Sequence, residues 1–312
     1  MRLFTTASVA ITGAVILMLP ACSDAPHGSN AGLPQTAAIA RSAHPASGPL
    51  LYVADYATNS VDIFQRVAQR WTSVGHIKES VREPLGVWVD ANANLYVANG
   101  DGPLTEYDSS GKLIFTYESA GFSRNVTTDR AGNVFTSGRT EVSEYPQGSD
   151  VAFSCESPNG NLGGIAVDKD GDVFVGTSNK SGVKGRILEY AHGLGPSNCQ
   201  STKLSIVLRT VPHGLAIDKE GNLLATATNA GSGDIDVIAP PYTSVTSTIN
   251  ARGPWPASVT INRTNTQIYV ADTSTYQVSV IAYPGGASKS VLGEDEGLTQ
   301  PVSAVSSINY VP

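Results

Sequence analysis

One pattern recurs six times along this chain of 312 residues and leaves few folds open to it. It is a β-rich run of aliphatic, aromatic and small residues: Leu51-Tyr52-Val53-Ala54-Asp55, Leu95-Tyr96-Val97-Ala98-Asn99, Val134-Phe135-Thr136, Val173-Phe174-Val175, Leu223-Leu224-Ala225 and Ile268-Tyr269-Val270-Ala271-Asp272. The first residues of successive copies lie 44, 39, 39, 50 and 45 positions apart. In most copies a second pattern precedes the run, as in Pro84-Leu85-Gly86-Val87-Trp88-Val89-Asp90, Pro212-His213-Gly214-Leu215-Ala216-Ile217-Asp218 and Pro256-Ala257-Ser258-Val259-Thr260-Ile261-Asn262. Tight turns join the two, among them Asp129-Arg130-Ala131-Gly132-Asn133, Asp168-Lys169-Asp170-Gly171-Asp172 and Asp218-Lys219-Glu220-Gly221-Asn222. Glycine supplies the positive φ of a short hairpin, and Asp or Asn hydrogen-bonds its own backbone.

A third run alternates with period two, as in Val61–Phe64, Leu104–Tyr107, Ile187–Tyr190 and Val278–Ile281, and a weaker fourth closes the unit, as in Leu113–Tyr117. Four antiparallel strands every 39–50 residues make a propeller blade, so the sequence predicts an all-β chain folded as a six-bladed β-propeller. Its two ends fit together. The first unit lacks a first strand before Leu51, and the chain finishes on an orphan first strand, Pro301–Ser307. Pairing this C-terminal strand into blade one closes the ring and removes exposed sheet edges.

Composition agrees with a turn-rich β protein: charged residues are 15% of the chain, with 31 Gly and 18 Pro. The formal charge is −7. Arg2 is the one charge of the leader, so its removal takes −7 to −8. An acidic chain without a Lys/Arg cluster lacks the basic footprint that phosphates demand, which excludes nucleic acid as a partner.

The N-terminus reads as an export signal. Arg2 precedes an apolar run, Ala7 to Leu19, that is too short to span about 30 Å of hydrocarbon. The following Leu19-Pro20-Ala21-Cys22 resembles a bacterial lipobox. That resemblance implies a lipoprotein signal peptide over 1–21, acylation of Cys22 as the mature N-terminus, and a membrane anchor. Ser23, where inner-membrane retention would need Asp, implies the outer membrane in a Gram-negative host. Residues 22–48 then form the acylated Cys and a flexible tether rich in Ala, Ser, Pro and Gly, and 49–312 form the propeller. The expected location is the cell envelope, outside the cytoplasm.

The pattern Pro-x-Gly-aliphatic-x-aliphatic-Asp, Gly-Asn turn, aliphatic-Tyr-Val-Ala-Asp resembles an NHL-type repeat propeller over residues 50–312. Such relatives range from protein-binding scaffolds to sugar lactonases and a lyase, so the resemblance implies the fold and leaves function to the site. First strands line the central channel, which makes the "x" positions a ring at its mouth: Leu85, Arg124, Gly163, His213, Ala257 and Val302. The next column, Gly86, Asn125, Gly164, Gly214, Ser258 and Ser303, is mostly small and reads as packing where the strands converge.

Metal-dependent lactonase-like propellers carry Glu, Asn and Asp at such mouth positions, because a hard cation needs oxygen ligands. Here the ring offers one Arg, one His and apolar or small residues, with Glu83 and Asn125 close by in sequence. No metal, cofactor or catalytic set is therefore expected. Pro212-His213-Gly214 is similar locally to virginiamycin B lyase, but a second His and a Glu to complete its base are missing. The predicted function is non-enzymatic binding of an envelope protein, a glycan or a small ligand. The alternative is a lactonase- or lyase-like enzyme around His213. Arg124 and His213 form the candidate ligand site, completed by Trp255 and by the loop residues Asn99, Asp101 and Asn229. Asn99, like Asp55 and Asp272, also reads as a cap of the turn that follows its strand.

The turn Asp168–Asp172 is no calcium loop, because Gly falls fourth and Asn179 stands where a twelfth-position Glu is needed. Cys155 and Cys199 lie 44 residues apart near the outer strands of blades three and four. They mature after export, where disulfides persist, so a bond stapling the two blades is expected. The longest insertions fall in blades four and five, at 177–186, 191–203 and 228–234, where surface loops would carry binding.

Overall fold

The computed structural model describes residues 48–118, 120–158, 160–178, 184–195, 198–228, 231–309 and 311. Residues 1–47, on which the expected leader, Cys22 and all but the last residue of the expected tether fall, lie outside them, as does Asn229. In chain order the strands are β1 (Leu50–Asp55), β2 (Ser60–Val67), β3 (Arg70–Ile77), β4 (Pro84–Val89), β5 (Leu95–Asn99), β6 (Leu104–Tyr107), β7 (Leu113–Tyr117), β8 (Asn125–Thr128), β9 (Val134–Ser137), β10 (Glu141–Tyr145), β11 (Phe153–Glu156) and β12 (Leu162–Val167). The second half continues with β13 (Val173–Ser178), β14 (Gly185–Tyr190), β15 (Thr202–Lys203), β16 (Leu215–Ile217), β17 (Leu223–Ala227), β18 (Asp234–Ile238), β19 (Ser247–Asn250), β20 (Pro256–Ile261), β21 (Gln267–Asp272), β22 (Gln277–Ala282), β23 (Ser288–Leu292) and β24 (Pro301–Ser306).

Among the described residues these strands form six four-stranded antiparallel sheets. Blade one has the order β24-β1-β2-β3, so the last strand of the chain is the innermost strand of the first blade. Tyr52 faces Val305 and Val53 faces Ala304 in that pairing, and Ser307 N donates to Leu50 O at 2.8 Å. Each innermost strand touches that of the next blade, in the closed ring β24, β4, β8, β12, β16, β20 and back to β24. The fold is a six-bladed β-propeller.

Burial explains why the strands differ in sequence. The second strands β1, β5, β13, β17 and β21 are sandwiched between neighbouring blades and buried almost end to end, hence their continuous apolar runs. The outer strands β11, β19 and β23 bury little, which is why the fourth run of each unit reads weakly. The apolar core divides into six clusters, one at each blade–blade interface. Val302 and Val305 on β24 belong to the cluster between blades one and two, and Ala304 to the one between blades six and one. No blade buries its own faces, so the ring stands as a unit.

The hairpins between first and second strands share one device. Asp90, Asp129, Asp168 and Asp218 each accept, on Oδ1, the backbone N–H four residues on. Asn262 does the same to Thr266. The residue three positions after the acid adopts positive φ: Gly132 at 87°, Gly171 at 83°, Gly221 at 84°, but Ala93 at 67° and Asn265 at 59°. The Asp168 carboxylate is thus spent on the turn.

Two strands fall short of expectation. The run from Pro212 becomes regular only at Leu215, because the Thr226 hydroxyl takes the Gly214 N–H at 2.9 Å while Pro212 O turns to Gly164 N. The outer strand β15 keeps two residues after the insertion that precedes it. Within that insertion Cys199 is disulfide-bonded to Cys155 of β11, joining blade four to blade three.

Candidate functional site

Where first strands converge, side chains are excluded by backbone. A Cβ on Gly164 would stand 2.2 Å from Leu215 N, and one on Gly214 would stand 2.6 Å from Val259 N. The small column of the sequence therefore packs each blade against the next. At the exception, Asn125, the amide nitrogen donates to Gly163 O and His213 O, each at 3.2 Å, and so ties blade three to blades four and five.

Above this constriction the ring opens into a cavity of about 330 Å³. Blade two supplies Leu85, blade three Arg124 and Asn125, and blade five His213 and Thr228. Blade six supplies Trp255, Pro256, Ala257 and Thr273, and blade one supplies Val302. Below it, around Trp88, Asn125 and Leu215, the channel shrinks to voids of about 20 and 10 Å³, room for about one water at most. Trp88 is fixed there by its indole N–H, which donates to Thr128 Oγ1 at 3.0 Å. The cavity is a cup, closed at its floor.

Arg124 and His213, 89 residues apart in sequence, meet in this cup with Nη1 and Nδ1 3.5 Å apart. Arg124 Nε is buried without a hydrogen-bond partner. No carboxylate is among the described residues that line the cup. Burial, and then the neighbouring Arg139 cation, lower the pKa of Arg124 from its ordinary value. Burial first, and the Arg124 cation second, lower that of His213. The imidazole is accordingly neutral, with Nδ1 accepting from the guanidinium. Trp255 stands at the rim, 55% exposed. Its backbone is clamped by Asp272 Oδ2, which accepts its N–H at 2.6 Å, and by Thr273 N, which donates to its carbonyl at 3.2 Å.

Of the site residues expected from sequence, the cup gathers Arg124, His213 and Trp255. Asn99 does not reach it and is corrected to its capping role. It is 1% exposed, with Oδ1 accepting Arg82 N at 2.9 Å and Nδ2 donating to Pro103 O at 2.7 Å, so no polar atom is left for a ligand. Asp55 and Asp272 act alike: each accepts N–H groups of the segment leading into its own blade's first strand. Asp101 is exposed on the β5–β6 loop and does not line the cup. Asn229 lies outside the described residues. The insertions of blades four and five also include residues outside them, at 179–183, 196–197 and 229–230.

Gly163 is the one mouth position that does not line the cup. A Cβ there would stand 2.1 Å from Pro212 O, because the lead-in to β16 lies directly on β12. This pinch between blades four and five displaces the cup toward blades six, one, two and three. Thr228 and Thr273 were missed. Both sit just after second strands, on the loops that open at the mouth, so their signal was positional. Among the described residues no three His, Cys, Asp or Glu side chains converge as a metal site.

No family model and no curated protein matches the chain. Solved structures do. A chain from the crystal structure of a nidogen/laminin complex is similar with a TM-score of 0.65 at 14% identity, over 84% of this chain and 100% of that one. A protein from Lactobacillus plantarum, solved by a structural genomics consortium, is similar with a TM-score of 0.56 at 12% identity, over 83% and 99%. The likeness is one of fold. It establishes the propeller architecture and carries no function with it.

Proposed function

We propose that the chain is an extracytoplasmic, lipid-anchored binding module of NHL-type repeat kinship, without enzymatic activity, that takes a small ligand in the cup at the mouth of its propeller. The observation that carries this reading is the cup itself: preformed, closed beneath, walled by five blades and holding a largely buried Arg124 beside a neutral His213. Its volume is at the lower end of the roughly 300–1,000 Å³ of small-ligand sites. A lactonase- or lyase-like alternative would need a carboxylate base or carboxylate ligands around His213, and the described residues of the lining include neither an Asp nor a Glu. The Cys155–Cys199 bond suits an oxidising compartment, in keeping with an export signal, a lipid on Cys22 and residence in the cell envelope. An envelope protein or glycan partner would then meet the loops around the same mouth.

Thermal unfolding of residues 23–312 with EDTA, then with millimolar Ca²⁺, Mg²⁺, Mn²⁺ or Zn²⁺, tests the non-enzymatic part. A metal at 100-fold excess over its dissociation constant adds about 2.7 kcal/mol. We expect no shift, and a shift specific to one metal would restore the enzyme reading. Labelling with a palmitate analogue tests the anchor: label persisting in Cys22→Ala would refute it.

A further inference from the structure

Arg124 is the one cation among the described residues that line the cup, and it forms no ion pair among them. A guanidinium carries five N–H donors in a planar fork. Nε has no partner, and Nη1 has only the long contact to His213. A charge half-withdrawn from water in this way, with one donor buried and unpartnered, is costly unless something neutralises it. With Nδ1 facing the guanidinium, the neutral His213 ring carries its proton on Nε2, a further donor. The remaining lining carries no charge: Leu85, Pro256, Ala257 and Val302 form its apolar part, with the Trp255 indole at the rim, and Asn125, Thr228 and Thr273 add neutral polar groups.

Donors and a single positive charge lie on one side, with a hydrocarbon wall and an aromatic face on the other. We propose that the cup binds a small amphipathic monocarboxylate, its carboxylate on the Arg124 guanidinium and its apolar or aromatic body against Leu85, Pro256, Ala257 and Val302 beneath Trp255. This rests on the cup being the ligand site. The planar fork matches a carboxylate bidentately. One net charge selects a monoanion over a phosphate monoester, whose second charge would find no second cation among the described residues of the lining. Arg139, whose charge acts on Arg124, is stacked over the Phe122 ring at 4.3 Å and does not line the cup.

The test is calorimetric titration of residues 23–312 with three probes of one shape: 3-phenylpropionate, its amide, and 2-phenylethyl phosphate. All six core clusters lie within residues 50–311, so this piece keeps the whole ring. The acid is expected to bind at least tenfold more tightly than the amide. Arg124→Gln should bring the acid down to the amide's affinity, while Arg124→Lys, which keeps the charge and loses the fork, should fall between. An amide as tight as the acid would overturn the anion inference and leave the cup as an apolar site. A phosphate tighter than the acid would overturn the monoanion assignment. Acid binding undiminished in Arg124→Gln would move the site elsewhere, and no binding by any probe would count against the cup itself.

Discussion

A residue kept for a ligand and a residue kept for the fold respond oppositely to removal, and two charged side chains of this propeller offer the comparison. Arg124 holds its guanidinium in the cup with Nε buried and unpartnered. Replacement by Met keeps an unbranched stem and deletes the charge. An orphaned buried donor costs about 1–3 kcal/mol, while the contact given up, 3.5 Å to His213, is too long to offset it. Relief of the repulsion from Arg139 acts in the same direction. Arg124→Met should therefore stabilise the ligand-free domain by about 1–2 kcal/mol. At about 2–4 °C per kcal/mol for a domain of this size, the melting temperature rises by roughly 2–8 °C.

Asp55 is the opposite case. Fully buried, it accepts from Thr58 N at 3.4 Å, Thr299 N at 2.6 Å and Gln300 N at 3.1 Å, tying the first blade to the lead-in of its closing strand. Asp55→Ala should cost about 3–5 kcal/mol by stranding these donors. Urea unfolding of the two variants beside the parent reads both signs. A loss of 1 kcal/mol or more in Arg124→Met would refute the reasoning, for the guanidinium would then have a partner within the protein and no reason to await one.

Three further outcomes follow from the geometry. Ala93 occupies the positive-φ position that Gly132, Gly171 and Gly221 fill in sister turns, so Ala93→Gly should stabilise by about 0.5–1 kcal/mol in urea unfolding, and Gly171→Ala, with open space around it, should destabilise by a like amount. Deleting 301–312 removes Val302 and Val305, worth about 1.5–3 kcal/mol each, and opens two blade interfaces; differential scanning calorimetry should show the single cooperative transition lost, whereas an unchanged melt would contradict ring closure. Because the folded pKa of His213 is lowered, the unfolded chain binds the proton first, so stability is full above the ordinary His range near 6.5 and declines as pH falls through it toward the folded pKa. His213→Gln should remove that part of the slope, and an identical pH profile in the variant would show that the ring is not held neutral.

The architecture was legible because every copy repeats the same physical problem. A strand buried on both faces must be apolar throughout, as at Leu51–Ala54 and Ile268–Ala271, and a two-strand turn must begin with Asp or Asn. The closing role of Pro301–Ser306 followed from counting which strands lacked partners. Arg124 and His213 were legible as residues of the mouth because the repeat places every "x" of Pro-x-Gly there, and Trp255 because it directly precedes such a Pro. The rest depended on distances that no pattern encodes. Gly163 drops out because the carbonyl of Pro212, 49 positions on, occupies the space its neighbours' side chains use. Asn99 looks like a loop ligand by its place at a strand end, yet its amide ties the β3–β4 connection at Ser80 O to the β5–β6 loop at Pro103 O. The αL backbone of Ala93 was hidden because no glycine marks it.

Everything proposed for this propeller turns on the mouth cup being the ligand site. A crystal structure of residues 23–312 grown with 3-phenylpropionate tests it most directly. The ligand is expected inside the cup, its carboxylate within about 3 Å of the Arg124 guanidinium and its ring against Leu85, Ala257 and Val302 below Trp255. A cup filled by water alone at saturating probe, or the probe seated elsewhere on the propeller, would contradict it.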